Sequence, residues 1–161
     1  AAVPVCPDND QAGRAATARA VNNSTRAQKS PAVFVVSPDR LGDAKDPDAL
    51  VQSQGTNAWP ELLATRECGI GWRARQLVAD VEPDRPLAVR REALSRAGEW
   101  LGRLPARLSL EQEDAVRGVA TQCGYSAEAV ERAFRARFWE KQSPSIEPGR
   151  HLESVGVGMG A

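Results

Sequence analysis

Two short apolar runs near the start of the chain, residues 2–6 and 32–36, have the length and composition of buried β-strands. The second run, Ala-Val-Phe-Val-Val, is rich in β-branched residues and lies between prolines at positions 31 and 38. Residues 11–26 are dominated by alanine, which has the highest intrinsic helix propensity. A strand, a helix and a second strand predict a βαβ unit with parallel strands, because such crossovers are nearly always parallel and right-handed.

The rest of the chain predicts helices. Their expected ranges are residues 48–54, 59–67, 69–81, 87–104, 110–123 and 126–139. Apolar residues recur at three- and four-residue spacing on one face of the last three helices. These stripes are Leu87, Leu94, Ala97, Leu101 and Leu104; Leu110, Val116, Val119 and Cys123; and Val130, Phe134 and Phe138. We expect Asn57, a capping box of Ser109 with Gln112, and Gly124 to mark helix ends.

This pattern predicts an α/β fold followed by an all-α part. The α/β part is Rossmann-like and covers residues 1–67, and a helical bundle covers residues 68–142. Residues 143–161 are rich in glycine, serine and proline, which predicts a disordered tail.

The composition excludes several classes of protein. The 161 residues contain 21 Lys+Arg and 21 Asp+Glu, so a protein that coats nucleic acid by bulk charge is not expected. No apolar run approaches the roughly 18 residues of a membrane helix, and we expect no signal peptide. Cys6, Cys68 and Cys123 are odd in number and far apart, which is typical of core residues in a reducing compartment such as the cytoplasm. His151 is the single histidine, which argues against histidine-based catalysis.

Two aspartates follow the first predicted strand directly. Asp8 and Asp10 repel each other, and they lie where the carboxyl end of a strand opens a ligand crevice. A divalent cation would remove the repulsion, because Mg²⁺ prefers hard oxygen ligands and keeps room for water and substrate phosphates. We therefore predict a metal site here.

A second acidic pair follows the second strand. Asp46 and Asp48 flank Pro47, and loops after two parallel strands leave the same edge of a sheet. Two Asp-x-Asp pairs at one edge are more specific than either pair alone, since a single pair is usually a solvated turn or a helix cap. Capping by Asp46 and metal binding are not exclusive.

Two features have open interpretations. Gly13, in the first turn of the first helix, costs roughly 1 kcal/mol relative to alanine. It either permits a close approach to the backbone or is a glycine tolerated near a helix end. Arg132, Arg135 and Arg137 alternate with aromatic residues, which indicates nucleic-acid contact or, more often, a solvated helix face with an apolar underside.

Both acidic motifs resemble those of a known family. Residues 8–14, Asp-Asn-Asp-Gln-Ala-Gly-Arg, resemble the DxDxAGR signature of the toprim domain in bacterial DnaG-type DNA primases. The strand at residues 33–36 and the sequence Lys-Asp-Pro-Asp-Ala-Leu-Val at residues 45–51 resemble the family's strand and its KDPDxLV motif. The resemblance is strong over residues 2–67 and looser beyond them.

The resemblance implies the second half of a toprim catalytic domain and the helical bundle that follows it. It implies a nucleotidyltransferase that makes short RNA primers on single-stranded DNA from ribonucleoside triphosphates, with a replicative helicase as partner. The expected metal is Mg²⁺ or Mn²⁺. The implied site residues are catalytic Asp8 and Asp10, metal ligands Asp8, Asp10, Asp46 and Asp48, and phosphate contacts Gly13, Arg14 and Lys45. Arg14 could instead brace the loop.

The sequence also departs from this family. The family's catalytic glutamate in a Glu-Gly motif and its zinc module have no counterpart in the 161 residues, so we expect a fragment. The long second loop, around residues 41–43, suggests a mobile-element or phage-borne relative. An alternative is a non-catalytic toprim remnant or interaction module of such a replication protein. A receiver-like phosphotransfer domain ranks lower, because it would need a lysine and a hydroxyl residue after later strands, and no such strands are predicted.

We expect the isolated 161-residue chain to make no primers, because the catalytic glutamate and template-reading module are missing from it. Incorporation of labelled ribonucleotides on a single-stranded template measures this. Template-dependent product would show that the expectation of a fragment is wrong.

Overall fold

The computed structural model describes residues 2–27 and 32–139. In it β1 (Ala2–Val5) and β2 (Ala32–Val35) are parallel, with Val5 opposite Val35. Helix α1 (Gln11–Arg26) lies between them in the chain and packs on β2 through the buried Val21. The predicted parallel βαβ unit is confirmed.

A third strand was not predicted. Strand β3 (Glu67–Cys68) pairs antiparallel with β2, so the sheet has the order β1-β2-β3 and is mixed. We predicted a helix through residue 67 and no strand after β2, and both predictions were wrong. A two-residue strand is too short to show an alternating pattern, and only its pairing with β2 defines it.

Strand β1 is more exposed than its apolar composition predicts. Ala2, Val3 and Pro4 are exposed, and Val3 is 44% accessible, whereas Val35 and Val36 are fully buried. Strand β1 is at the edge of the described sheet, while β2 lies between two neighbours. The prediction of a buried strand was therefore wrong for the first apolar run and right for the end of the second.

The remaining helices lie close to their predicted positions. Their bounds are α2 (Pro47–Gln54), α3 (Ala58–Ala64), α4 (Gly69–Gln76), α5 (Leu87–Gly102), α6 (Ser109–Cys123) and α7 (Ala127–Phe134). Short 3-10 helices cover Pro38–Leu41 and Ala106–Leu108, and a π-helical turn covers Arg135–Trp139. Helices α3 and α4 end earlier than predicted.

None of the helices within residues 2–27 and 32–139 has the length and apolar character needed to cross a bilayer. The predicted disordered tail, residues 143–161, lies outside the described residues.

Only part of the predicted capping is present. Gly124 ends α6 in the left-handed conformation, with a φ of 71°, as predicted. The capping box is absent, because Ser109 is already helical and the Gln112 side chain instead donates to the Leu101 carbonyl at 2.9 Å. Asn57 precedes α3 but makes no capping bond through its side chain.

The bundle core is formed by the predicted stripes of α5, α6 and α7. Its most buried residues include Ala97, Leu101, Val119, Cys123, Val130 and Phe134. Leu110 is 76% exposed and Leu87 46% exposed, so their assignment to the buried stripes was wrong. Leu110 precedes Val116 by six residues, which turns the two side chains about 120° apart on a helix. Leu87 is the first residue of α5.

Helix α4 joins the sheet to the bundle. Trp72 is only 2% exposed and packs with Val21 of α1 and Val35 of β2. Ile70 and Ala74, from the same helix, belong to the bundle core. Apolar contacts therefore continue across the predicted boundary between residues 1–67 and the bundle, and the division into two domains stays a prediction.

Substituting Gly98 with alanine should destabilise the bundle. A Cβ at Gly98 would lie 2.7 Å from two ring carbons of Phe138 and 2.8 Å from Phe134. The rings must then move, and overpacking of this kind costs about 1–3 kcal/mol. Urea denaturation measures the free energy of unfolding.

Gly118→Ala in α6 is the matched control. Its Cβ would meet only the flexible Arg75 side chain, at 3.4 Å or more. The better helix propensity of alanine should then stabilise the protein by about 1 kcal/mol. Equal effects of the two substitutions would show that the aromatic residues do not pack tightly on α5.

Candidate metal-binding site

The two acidic loops meet at one edge of the sheet. Val36 donates its backbone N–H to the Val5 carbonyl at 2.9 Å, which continues the parallel ladder up to the point where both loops begin. Asn9 donates its backbone N–H to the Lys45 carbonyl at 2.9 Å, and its side-chain Nδ2 donates to the Gly42 carbonyl at 3.1 Å. Asn9 lies between Asp8 and Asp10, and Lys45 directly precedes Asp46. The predicted convergence of the two loops is therefore confirmed.

One aspartate of each pair caps a helix. Asp10 is the N-cap of α1, and its Oδ1 accepts from the Gly13 N–H at 2.7 Å. Asp46 is the N-cap of α2, and its Oδ1 accepts from the Ala49 N–H at 2.8 Å. These bonds fix both carboxylates and satisfy helix N–H groups that have no partner within the helix. Within residues 2–27 and 32–139, neither Oδ2 atom accepts a hydrogen bond from the protein.

The other two aspartates are more loosely held. Asp8 is exposed, and its carboxylate forms no hydrogen bond or ion pair with the part of the chain that the structure describes. Asp48 is exposed in the first turn of α2, where Gln52 Nε2 lies 3.5 Å from its Oδ2. Both carboxylates are open to a ligand from solvent.

The backbone that approaches Gly13 is that of Asp8. A Cβ at Gly13 would lie 2.4 Å from the Asp8 carbonyl oxygen and 3.0 Å from its nitrogen, which no real side chain tolerates. Of the two interpretations of this glycine, the structure supports a close backbone approach. Glycine here lets the first acidic loop fold back onto α1.

Arg14 braces the first loop against the second. Its Nη2 donates to Asn9 Oδ1 at 3.4 Å and forms an ion pair with Asp39 at 3.2 Å. Asp39 lies in the 3-10 helix after β2 and also accepts from Ser37 Oγ at 3.3 Å. Lys45 is exposed and contacts the first loop through its carbonyl. Contacts of Gly13, Arg14 and Lys45 with phosphate stay predictions.

Sequence reasoning missed Asn9 and Asp39. Asn9 donates two hydrogen bonds to the second loop and accepts a third from Arg14 of α1, but an asparagine between two aspartates is typical of any polar turn. Asp39 lies outside both Asp-x-Asp pairs and was not predicted to belong to the site. Its pairing with Arg14, 25 residues away in the chain, depends on the fold.

The donors at this edge suit a hard divalent cation. The site offers carboxylate oxygens from two adjoining loops, two of which are held in place by capping bonds. Among residues 2–27 and 32–139 no group of three or more acidic, cysteine or histidine side chains converges to hold a metal by itself. Mg²⁺ commonly uses one or two carboxylates, with water and substrate phosphates as its other ligands. The residues therefore fit Mg²⁺ or Mn²⁺ bound together with a phosphate ligand.

The electrostatics of the site also affect the neighbouring thiol. Burial raises the pKa of Cys6, and the negative charge of Asp8 raises it further. All three cysteines are free thiols, with Cys123 in the bundle core and Cys6 and Cys68 half-buried. Cys6 is therefore a neutral packing residue beneath the first acidic loop.

The Arg132, Arg135 and Arg137 segment has the character of a solvated face. Arg135 donates to Glu131 at 2.6 Å, and its guanidinium lies over the Trp139 ring at 5.7 Å. Phe134, on the underside, is buried in the bundle. The structure supports the second interpretation of this segment.

Comparison with known proteins identifies the fold. No family model matches the sequence, and no curated protein matches it. A DNA primase domain from Pseudomonas aeruginosa superposes with a TM-score of 0.55 and 23% identity, over 83% of this chain and 40% of that one. The DnaG catalytic core superposes with a TM-score of 0.54 and 21% identity, over 80% of this chain and 40% of that one.

The fold is thus that of part of a DNA primase catalytic domain. More particularly, it is the fold of the bacterial DnaG type, as the two motifs implied. The chain spans about two fifths of the length of each of these primase structures, 40% in both cases.

Gly13→Ala should destabilise the protein, because the new methyl group collides with the Asp8 backbone. The expected loss is about 1–3 kcal/mol in the free energy of unfolding, as for other overpacked sites. Gly71→Ala in α4 is the control, since its Cβ would meet only Arg75 Nη1 at 3.7 Å. Thermal unfolding of both variants measures the difference. Equal stability of the two variants would contradict the proposed backbone contact.

Proposed function

We propose that this chain is the metal-binding part of the catalytic domain of a DnaG-type DNA primase. In this proposal it takes part in the synthesis of short RNA primers on single-stranded DNA. The observation that carries the proposal is the joining of two Asp-x-Asp loops by the Asn9–Lys45 backbone bond, at the carboxyl edge of two parallel strands. The primase fold supports it independently.

The residues have separate roles in this proposal. Asp8, Asp10, Asp46 and Asp48 would hold Mg²⁺ or Mn²⁺, with Asp8 and Asp10 as the catalytic pair. The metal, when bound, would neutralise phosphate charge and lower the pKa of a primer 3′-hydroxyl. Asp10 and Asp46 are fixed by their capping bonds, so they present carboxylate oxygens without a further loss of side-chain freedom.

The nucleotide phosphates are the proposed ligands of Gly13, Arg14 and Lys45. Arg14 is engaged with Asn9 and Asp39, and its side chain is 36% exposed. A guanidinium has five N–H donors, so it can bind a phosphate oxygen while it braces the loop. Lys45 is exposed beside Asp46 and offers a mobile positive charge.

The partners proposed for the chain are a single-stranded DNA template, ribonucleoside triphosphates and a replicative helicase. The cytoplasm is the proposed location. An alternative function is a non-catalytic remnant or interaction module of a mobile-element replication protein. The absence of three converging ligands among the described residues favours that alternative, and metal binding separates the two.

Asp8→Asn should weaken Mn²⁺ binding by about tenfold or more, because affinity for hard cations follows the number of charged oxygen ligands. Mn²⁺ is titrated in the presence of a nucleoside triphosphate and followed by electron paramagnetic resonance. Asp84→Asn is the control, since Asp84 is an exposed aspartate far along the chain from both loops. It should leave Mn²⁺ binding unchanged.

Two results would oppose the proposal. If wild-type protein binds no more Mn²⁺ than the nucleotide alone, the acidic loops are vestigial and the interaction-module alternative holds. If Asp84→Asn lowers binding as much as Asp8→Asn does, the metal binds by general surface charge.

A further inference from the structure

A second site with a different chemistry lies at the opposite end of α1. A pocket of about 430 Å³ opens between the last turn of α1, the end of α5 and the 3-10 helix Ala106–Leu108. Arg26, Arg103 and Arg107 line it, together with Trp100, Leu104 and Pro105. Among residues 2–27 and 32–139, no acidic side chain lines it.

The three arginines carry positive charge that no carboxylate neutralises within the part of the chain that the structure describes. Within residues 2–27 and 32–139, none of the three forms an ion pair with a carboxylate. Residues 28–31, which follow α1 in the sequence, are Gln-Lys-Ser-Pro and include no acidic residue. Three like charges in one pocket repel each other, and a bound anion would remove that repulsion.

Only one of these arginines, Arg107, forms hydrogen bonds that cap α1. Arg107 Nη2 donates to the Thr25 carbonyl at 3.3 Å and to the Ala27 carbonyl at 2.9 Å, so it caps the carboxyl end of the helix. The helix dipole contributes about half a negative charge there. Counted over the described residues, most of the positive charge of the pocket is therefore free to bind an anion.

We propose that this pocket binds the phosphates of a nucleotide chain, with single-stranded nucleic acid as the ligand. Guanidinium groups bind phosphate oxygens through paired N–H donors. Trp100 is held by a 2.9 Å hydrogen bond from its Nε1 to Asn22 Oδ1, and it adds an aromatic wall to the pocket. Arginines beside an aromatic side chain are the combination that binds single strands without reading their sequence.

The pocket is separate from the acidic loops. Helix α1 has 16 residues and is about 24 Å long, with Asp10 at its start and Arg26 at its end. Phosphate bound at the arginines would not reach the acidic loops through a single nucleotide. The pocket needs no metal, and it would bind phosphate whether or not the acidic loops catalyse a reaction.

The test is binding of a fluorescein-labelled oligothymidylate by the full chain, measured by anisotropy in EDTA. Arg26→Ala and Arg103→Ala should each weaken binding by about tenfold, the effect of losing a charge-assisted hydrogen bond. The slope of log affinity against log salt should fall by about 0.7 for each arginine removed. Arg103→Lys should recover part of the loss. Arg107 is left intact, because it caps α1.

Control variants show whether a loss of binding is specific to this pocket. The double variant Arg91→Ala/Arg132→Ala removes two exposed arginines elsewhere and should bind like wild type. Because EDTA removes divalent cations, binding measured in EDTA separates this site from the proposed metal site. Unchanged thermal unfolding of Arg26→Ala and Arg103→Ala would show that both variants fold.

Competition identifies the source of the phosphate. Stronger competition by unlabelled oligothymidylate than by ATP, at equal phosphate concentration, supports the single strand as ligand. Equal or stronger competition by ATP would overturn the single strand in favour of a free nucleotide. The proposed site would be wrong if Arg26→Ala and Arg103→Ala left the affinity for oligothymidylate unchanged. It would also be wrong if the Arg91→Ala/Arg132→Ala double variant lowered that affinity as much as they do.

Discussion

Val36 donates its backbone N–H to Val5, and this bond ends the parallel ladder between the first two strands. Because these two strands are parallel, the chain leaves both of them in the same direction. Both acidic loops therefore lie at one edge of the sheet. An antiparallel arrangement would have placed the two aspartate pairs at opposite edges. The position of the candidate metal site therefore depends on this pairing more than on any side chain in the site.

Two charged residues of the acidic loops stabilise the helices that follow them. Asp10 and Asp46 satisfy N–H groups at the starts of α1 and α2, where the helix dipole also favours a negative charge. Asn9 adds the bonds that hold the loops together. The two loops are thus held together by the bonds of Asn9 and by the Arg14–Asp39 ion pair.

Helix α1 has a different electrostatic character at each end. Its amino end lies among aspartates, and its carboxyl end lies among arginines from the end of α5 and the following 3-10 helix. The bundle contributes to the second end through Trp100 and Arg107, which bond to Asn22 and to the last carbonyls of α1. Trp72 of α4 packs with Val21 of α1 and Val35 of β2. Through these contacts the bundle helices pack against α1 and the sheet in addition to forming their own core.

The sequence by itself determined the βαβ unit, the positions of the helices and the pairing of the acidic motifs, because these depend on local propensity and on spacing along the chain. The tertiary structure alone decided the rest. Strand β3 has two residues and exists only through its bonds to Phe34 and Val35. The Gln112 side chain donates a hydrogen bond to the Leu101 carbonyl and forms no capping box. Arg14 pairs with Asp39, which lies 25 residues away in the sequence. The basic pocket gathers residues 26 and 103–107, which no local pattern connects, because only packing of the bundle on α1 brings them together.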